Sequence, residues 1–150
     1  MALITEAARG MIGTSDPPMR VEVTRRDIVK YSVATEQQQE KFLSGDEAPP
    51  MFLFGALRPV VPIGALGPDG IPASSLTPDL PLKRFMAGGT KTRYFRPVRP
   101  GDVLVATRSL TDLYEKRGSQ GDLIFLIYKV DVRTEAGERI AEEVQTRIAR

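Results

Sequence analysis

The sequence predicts an α+β fold. Three observations carry that reading: an uncharged run from Met51 to Leu57 that reads as one apolar helix, a long Pro- and Gly-rich excursion from Arg58 to Pro81, and a period-two pattern from Thr90 onward. A helix of this kind and an antiparallel sheet each have an apolar surface, and packing one on the other buries both. At 150 residues the chain is long enough for one domain with a substantial core.

Residues 1–18, ending at Asp16-Pro17-Pro18, are expected to be a loosely ordered lead-in to a single domain over 19–150. Met19 to Val23 alternates and predicts a short strand. Thr24 then serves as an N-cap, with Asp27 three residues on in the manner of a capping box. The helix that follows is expected from Arg25 to about Thr35, with Ile28, Tyr31 and Thr35 on one face. Glu36 to Asp46 is polar. Pro49 and Pro50 suit the first turn of a second helix from about Glu47 to Leu57. Because this helix is apolar on every side, it is expected to be buried on every side, with a sheet wrapped around it.

No period is discernible between Arg58 and Pro81, and a loop of that length is a lid, an interface arm or disordered. Strands are expected at Thr90–Arg96, Asp102–Tyr114, Asp122–Thr134 and Glu138–Ile148, with a polar turn over Glu115–Gly121. In the last segment Ile140, Val144 and Ile148 also suit a helix face, but the tight turn at Gly137 favours a hairpin. The Asp122–Thr134 strand puts Ile124, Leu126, Tyr128, Val130 and Val132 on one face. Its other face begins with Leu123, Phe125 and Ile127 before turning charged, which predicts a cover over half of that face. The loop, another subunit or the chain's own N-terminal helix would each provide it.

Composition narrows the function. A net charge of +2 is too small for nucleic-acid binding through bulk electrostatics. There is no cysteine, which excludes disulfides, thiolate metal sites and thiol nucleophiles. There is no histidine either, the residue most often used as a general base near neutral pH. A metal would have only oxygen ligands, and no carboxylate-rich loop of that kind is present, so no metal or cofactor is expected. Met51–Leu57 is too short to span a bilayer, and Met1–Gly10 has no basic n-region. A cytoplasmic protein without membrane or nucleic-acid partners is expected.

Three stretches then carry a resemblance: Val21-Glu-Val-Thr-Arg-Arg-Asp-Ile-Val-Lys-Tyr31, Ala48-Pro-Pro-Met-Phe52 and Arg96-Pro-Val-Arg-Pro-Gly-Asp102. Together they resemble the hot-dog fold of the MaoC-like acyl dehydratases, and within that group the N-terminal, FAS1-like dehydratase half. Gly67-Pro-Asp-Gly70 and Leu80-Pro-Leu-Lys-Arg-Phe-Met-Ala-Gly-Gly89 are similar to the corresponding stretch of mesaconyl- and itaconyl-CoA hydratases. The likeness runs from about Val21 to Arg150. It implies a sheet curled around a central helix, edge-to-edge pairing with a second hot-dog unit, and an acyl-thioester tunnel between the units.

In catalytic members of that group, an Asp-x-Asn-Pro-x-His stretch after the first helix supplies an aspartate and a histidine. The matching region here, Ala34 to Lys41, has neither, so those catalytic residues do not carry over. The resemblance therefore implies the non-catalytic half of an enoyl-CoA hydratase or 3-hydroxyacyl-thioester dehydratase. It would shape the acyl pocket while a partner hot-dog subunit supplies the Asp/His pair, with an acyl-CoA as substrate. A homodimeric acyl-CoA-binding module and a carboxylate-based hydratase are the alternatives.

For the carboxylate-based route the candidates are Glu36 and Glu40, four apart on one face if the helix continues, though a run of this composition also reads as a solvated face. Gly88 and Gly89 either let backbone approach a thioester or mark a bend before a strand. Lys83, Arg84, Arg96 and Arg99 are candidates for the phosphates of CoA or are ordinary surface cations. Arg99-Pro-Gly-Asp102 is in either case a turn. Phe52, with Tyr31, Phe54 and Phe85, lines the pocket or fills the core.

Overall fold

The computed structural model describes residues 2–150. A one-turn helix α1 (Glu6–Arg9) precedes strand β1 (Met19–Glu22), helix α2 (Arg25–Ala34), and two short helices, α3 (Glu40–Leu43) and α4 (Phe52–Ala56). Four long strands follow: β2 (Phe85–Tyr94), β3 (Val103–Gly118), β4 (Gly121–Thr134) and β5 (Arg139–Ala149). They form one antiparallel sheet in the order β1-β3-β4-β5-β2, so β1 and β2 are its edges. The α+β prediction holds. No helix among the described residues is long and apolar enough to cross a membrane, which says nothing about spanning by strands.

α2 begins where its cap predicts. The Thr24 hydroxyl accepts from the Asp27 backbone N–H at 3.1 Å and donates to the Asp27 carboxylate at 2.6 Å. Its inward face is Ile28 and Ser32, with Tyr31 half-buried, whereas Thr35 is exposed at the C-terminal cap. The expected face is thus displaced at its last turn.

The apolar run around Met51 corrects its own reading. Only Phe52–Ala56 is helical, ending at a Leu57 cap two residues before Pro59. Phe52 and Leu53 are buried, but Met51 and Phe54 are 50% and 41% exposed. A single turn has too little length to be enclosed all round, so one flank packs and the other is open.

The lead-in and the end of β3 depart from expectation, and the loop's alternatives narrow. The lead-in is ordered: Gly13 and Asp16 donate backbone N–H bonds to Leu110 and Arg108 of β3, and Ser15 bridges Ser109. The 58–81 loop is anchored, with Leu76 and Leu80 buried and the Tyr128 hydroxyl donating to the Leu76 carbonyl at 3.3 Å. β3 also overruns the expected Glu115–Gly121 turn, reaching Gly118 opposite Gly121. β5 is a strand, as the Gly137 turn favours.

The core therefore has two halves on one face of the sheet. At one end α2, α4, Ala48 and Val98 pack on Leu104, Ala106, Val130, Val132 and Ala141. At the other, Ile4, Ala8, Leu76 and Leu80 pack on Leu110, Leu113, Ile124, Leu126 and Tyr128. Burying such side chains is worth roughly 1.5–3 kcal/mol each, which is what holds the arm and the loop down. Since both lie on this inner face, they do not cover Leu123, Phe125 and Ile127 on the outer one, which stay half-buried with Phe125 stacked on Tyr114.

Candidate functional site

Between the two halves of the core lies a cavity of about 470 Å³, within the usual size range of small-molecule sites. α4 supplies Leu53, Phe54 and Leu57 as one wall, the loop supplies Ala73–Ser75, and the N-terminal arm supplies Asp16 and Pro17. The floor is the inner face of the sheet, Ala106 and Arg108 of β3, Val130 of β4 and Glu143 of β5. Register explains the floor: Arg108 pairs with Val130, and Val130 with Glu143, so the three stand in one row across the sheet.

Arg108 is the unusual member. The alternation Leu104, Ala106, Arg108, Leu110 points all four side chains inward, and three of them are buried apolar groups. The Arg108 guanidinium lies 3.9 Å from the centre of the Tyr128 ring, a cation–π contact. Its one hydrogen bond among the described residues goes to the Ser74 hydroxyl at 3.3 Å. The Asp16 carboxylate stands 3.8 Å away, with its other oxygen accepting from Ser75 at 2.6 Å. Burial pulls the Arg108 pKa below its ordinary value, opposed by Tyr128 and Asp16 and reinforced by the positive charges of Arg147 and Arg58.

Glu143, two strands away, accepts from Thr92 at 3.1 Å and from the Gln145 amide. Beside it, Tyr94 donates to the Pro50 carbonyl, and burial with the Glu143 charge pushes its pKa up to about 12. The inner face is thus polar towards the β2 edge, while on β3 and β4 Arg108 is the charged exception among Leu104, Ala106, Leu110, Tyr128, Val130 and Val132.

Of the residues singled out from sequence, Phe54 lines this cavity and the others lie apart from it. Glu36 takes a left-handed backbone, φ 55°, just after α2 ends, so it and Glu40 share no helix face, and both are exposed. The premise that the helix continues is corrected: Ser32, the last inward residue of α2, has its carbonyl taken by Gln37 N–H at 2.9 Å, which closes the helix. Gly88 and Gly89 sit in β2 at a bulge, where a Cβ on Gly88 would come within 2.8 Å of Thr146 and where Gly89 has φ 140°. Lys83 and Arg84 are exposed just before β2, with Lys83 paired to Asp79. Phe52 packs edge-on against Tyr31 at 5.7 Å and lines a second hollow of about 320 Å³.

Arg96 is fully engaged. Its Nε and Nη2 donate to Glu138 at 3.0 and 3.1 Å, its Nη1 and Nη2 to Asp102 at 2.9 Å each, and its Nη1 to the Pro97 carbonyl at 2.8 Å. A guanidinium has five N–H donors, so none is left for a phosphate. Arg99 is exposed, and its backbone N–H donates to Asp102 at 2.8 Å. The Arg96-to-Asp102 stretch is a clamped turn.

The family model described as "FAS1-like, dehydratase domain region" matches residues 10–143. The chain belongs to this family. Its fold is the hot dog of the MaoC-like dehydratases. It is similar to a chain of the ChsH1-ChsH2 complex from Mycobacterium tuberculosis, at 15% identity and TM-score 0.73 over 97% of this chain and 90% of that one. A chain of the HadBC (3R-hydroxyacyl-ACP dehydratase) complex of the same organism matches at 14% identity and TM-score 0.64, covering 93% and 97%. A MaoC-like dehydratase from Phytophthora capsici matches at 16% identity and TM-score 0.65, with 97% of this chain covering 50% of that one. At these identities the likeness is one of fold. No curated protein matches the sequence.

The cavity residues Arg108, Ser74, Asp16 and Glu143 were not among the sequence candidates. Only Arg108 left a signal, as the one charged residue at an inward position of an otherwise apolar alternation.

Proposed function

We propose that this chain is the pocket-forming subunit of an enoyl-thioester hydratase or 3-hydroxyacyl-thioester dehydratase, acting on an acyl-CoA. A partner hot-dog subunit supplies the Asp/His pair. One observation carries the reading: the chain keeps a cavity over the sheet's inner face, while the segment after α2, where the family's acid–base pair is expected, holds only exposed Glu36, Gln38 and Gln39 and half-buried Gln37. Hydration needs a base for water and an acid for the α-carbon, and exposed glutamates that do not line the cavity serve neither purpose.

The neighbours support a partner. Two of them are complexes of two named components, and a third is a chain of which this one spans half. β2 is a free edge strand, the part of a sheet that normally needs covering, and it lies beside the polar strip of Thr92, Tyr94 and Glu143. Pairing there would bring a second subunit's residues next to that polar strip.

The experiment is to assay crotonyl-CoA hydration by the purified chain, by any hot-dog protein of the same organism that carries Asp-x-Asn-Pro-x-His, and by the two combined. Turnover is expected from the combination. Full activity from the isolated chain would overturn the reading.

A further inference from the structure

We infer that the segment from Pro59 to Pro72 is an interface arm, which carries Val60 and Ile63 across the β2 edge onto an apolar surface of the hot-dog partner. The inference rests on the pairing at β2 read above and adds the part of this chain that grips the partner.

Composition sets the segment apart. Surface loops are ordinarily rich in charge, and the chain as a whole is 27% charged. These fourteen residues contain a single charged side chain, Asp69. Val60 is fully exposed, Ile63 is 88% exposed and Ile71 is exposed as well. A fold gains nothing by holding large aliphatic side chains in water, whereas an interface buries them.

The segment is nonetheless built. Ala65 and Leu66 N–H close a turn on the Pro62 and Ile63 carbonyls at 2.9 and 3.0 Å. Gly67 N–H reaches the Ile71 carbonyl at 2.9 Å, and the Asp69 carboxylate accepts from the Ile71 N–H at 3.1 Å, which closes the Gly67–Gly70 turn. Four prolines fix φ along it, and buried Leu76 and Leu80 seat its base. Apolar side chains on a segment ordered beforehand lose little entropy on docking.

A lid on the chain's own cavity would turn its apolar side chains inward. Here the loop residues that line the cavity are Pro59, Ala73, Ser74 and Ser75, while Val60, Ile63 and Ile71 do not. A line of contacts leads to β2 instead. The Tyr94 hydroxyl at the end of β2 donates to the Pro50 carbonyl. Met51 and Phe54 are exposed on the open flank of α4, the Arg58 guanidinium covers the Phe54 ring at 4.3 Å, and Val60 follows two residues on. Exposed apolar surface thus continues from the free edge strand, where another sheet can pair, to the arm. A hot-dog partner that extends the sheet from β2 stands next to this flank, and the inner side of such a fold is its apolar side. That is the chemistry the arm matches.

The test uses the full chain and the hot-dog proteins of the same organism that carry Asp-x-Asn-Pro-x-His, with assembly measured by calorimetry and by light scattering after gel filtration. The unaltered chain is expected to form a complex with one of them. The double variant Val60→Asp/Ile63→Asp should weaken that complex about thirtyfold or more, because two charges would enter an apolar contact. Ile12→Asp, at an exposed apolar position beside β3 on the opposite side of the sheet, should leave it unchanged. Both arm positions are exposed, so the urea midpoint of the isolated double variant should match that of the unaltered chain. Val60→Ser/Ile63→Ser should weaken assembly by a smaller factor, and it is decisive should the aspartates disturb the fold. Undiminished assembly in the double variants would overturn the inference and leave the pairing at β2 standing. Pairing of the chain only with a second copy of itself, lost in the double variants, would give the arm another occupant and overturn the inference. Weaker crotonyl-CoA binding with assembly intact would make the segment a lid and overturn it as well. A chain that assembles with no hot-dog protein would overturn both the arm and the partner reading.

Discussion

Two half-buried arginines, Arg96 and Arg108, have side chains 22% and 25% exposed and yet do different things. Arg96 has five acceptors for five N–H groups, all from the turn it closes and from Glu138 just before β5. Arg108 has one, on a loop serine. The first is a structural clamp that holds the β2–β3 connection against β5. The second is a charge that lines the cavity, with one hydrogen bond among the described residues and Asp16 at 3.8 Å. A basic residue in a conspicuous motif is therefore not thereby a binding residue; unspent donors are the better sign.

The largest expected effect tests the clamp. Arg96→Met strands Asp102 and Glu138 without their shared cation, and it should lower stability by about 3 kcal/mol. Urea denaturation followed by circular dichroism measures this. A loss below about 1 kcal/mol would mean that the turn holds without its clamp and that Arg96 is available for a ligand after all.

A smaller effect sharpens the same side of the comparison. Burial alone would raise the Asp102 pKa, yet the hydrogen bonds from Arg96 and the Arg99 backbone N–H, with their charges, bring it below the usual carboxylate value. A carboxyl whose folded pKa is depressed contributes stability above its unfolded pKa, about 4, and loses it as pH falls through the lower folded value. Asp102→Asn should therefore be less stable than the unaltered chain at pH 7, by about 1 kcal/mol after allowance for partial solvent access, and the gap should close below pH 4. A gap constant from pH 7 to pH 3 would show that the charge on Asp102 is not what matters.

How much of this was legible depends on how each residue is held. The strands were legible because a paired strand repeats its environment every second residue, and Ile124, Leu126, Tyr128, Val130 and Val132 are all buried as that pattern requires. The end of β3 was not, because Glu115, Lys116 and Arg117 continue the pairing with β4 while exposed and carry the polarity of a turn. Ile4, Ala8, Leu76 and Leu80 are anchors separated by irregular backbone, and single anchors have no period. Of the proposed site, only the absence of histidine was readable directly from composition. The cavity was not, since it depends on where the arm and loop come to rest. Arg108 alone could have been found, by asking why an arginine stands between Ala106 and Leu110 on an inward face.

The smallest effect is the sharpest test of the contrast. If Arg108 is held in place for binding, its burial is a cost the fold bears without return in the unliganded chain. Arg108→Met removes that desolvation, keeps a side chain of similar length over Tyr128, and gives up one long hydrogen bond and a loose ion pair. Met suits an irregular apolar space beside an aromatic ring. Stability should then rise by up to about 1 kcal/mol, the opposite sign from Arg96→Met. The same urea titration reads both. A loss of about 2 kcal/mol or more would place Arg108 with Arg96 as part of the framework, and the difference drawn between the two arginines would disappear.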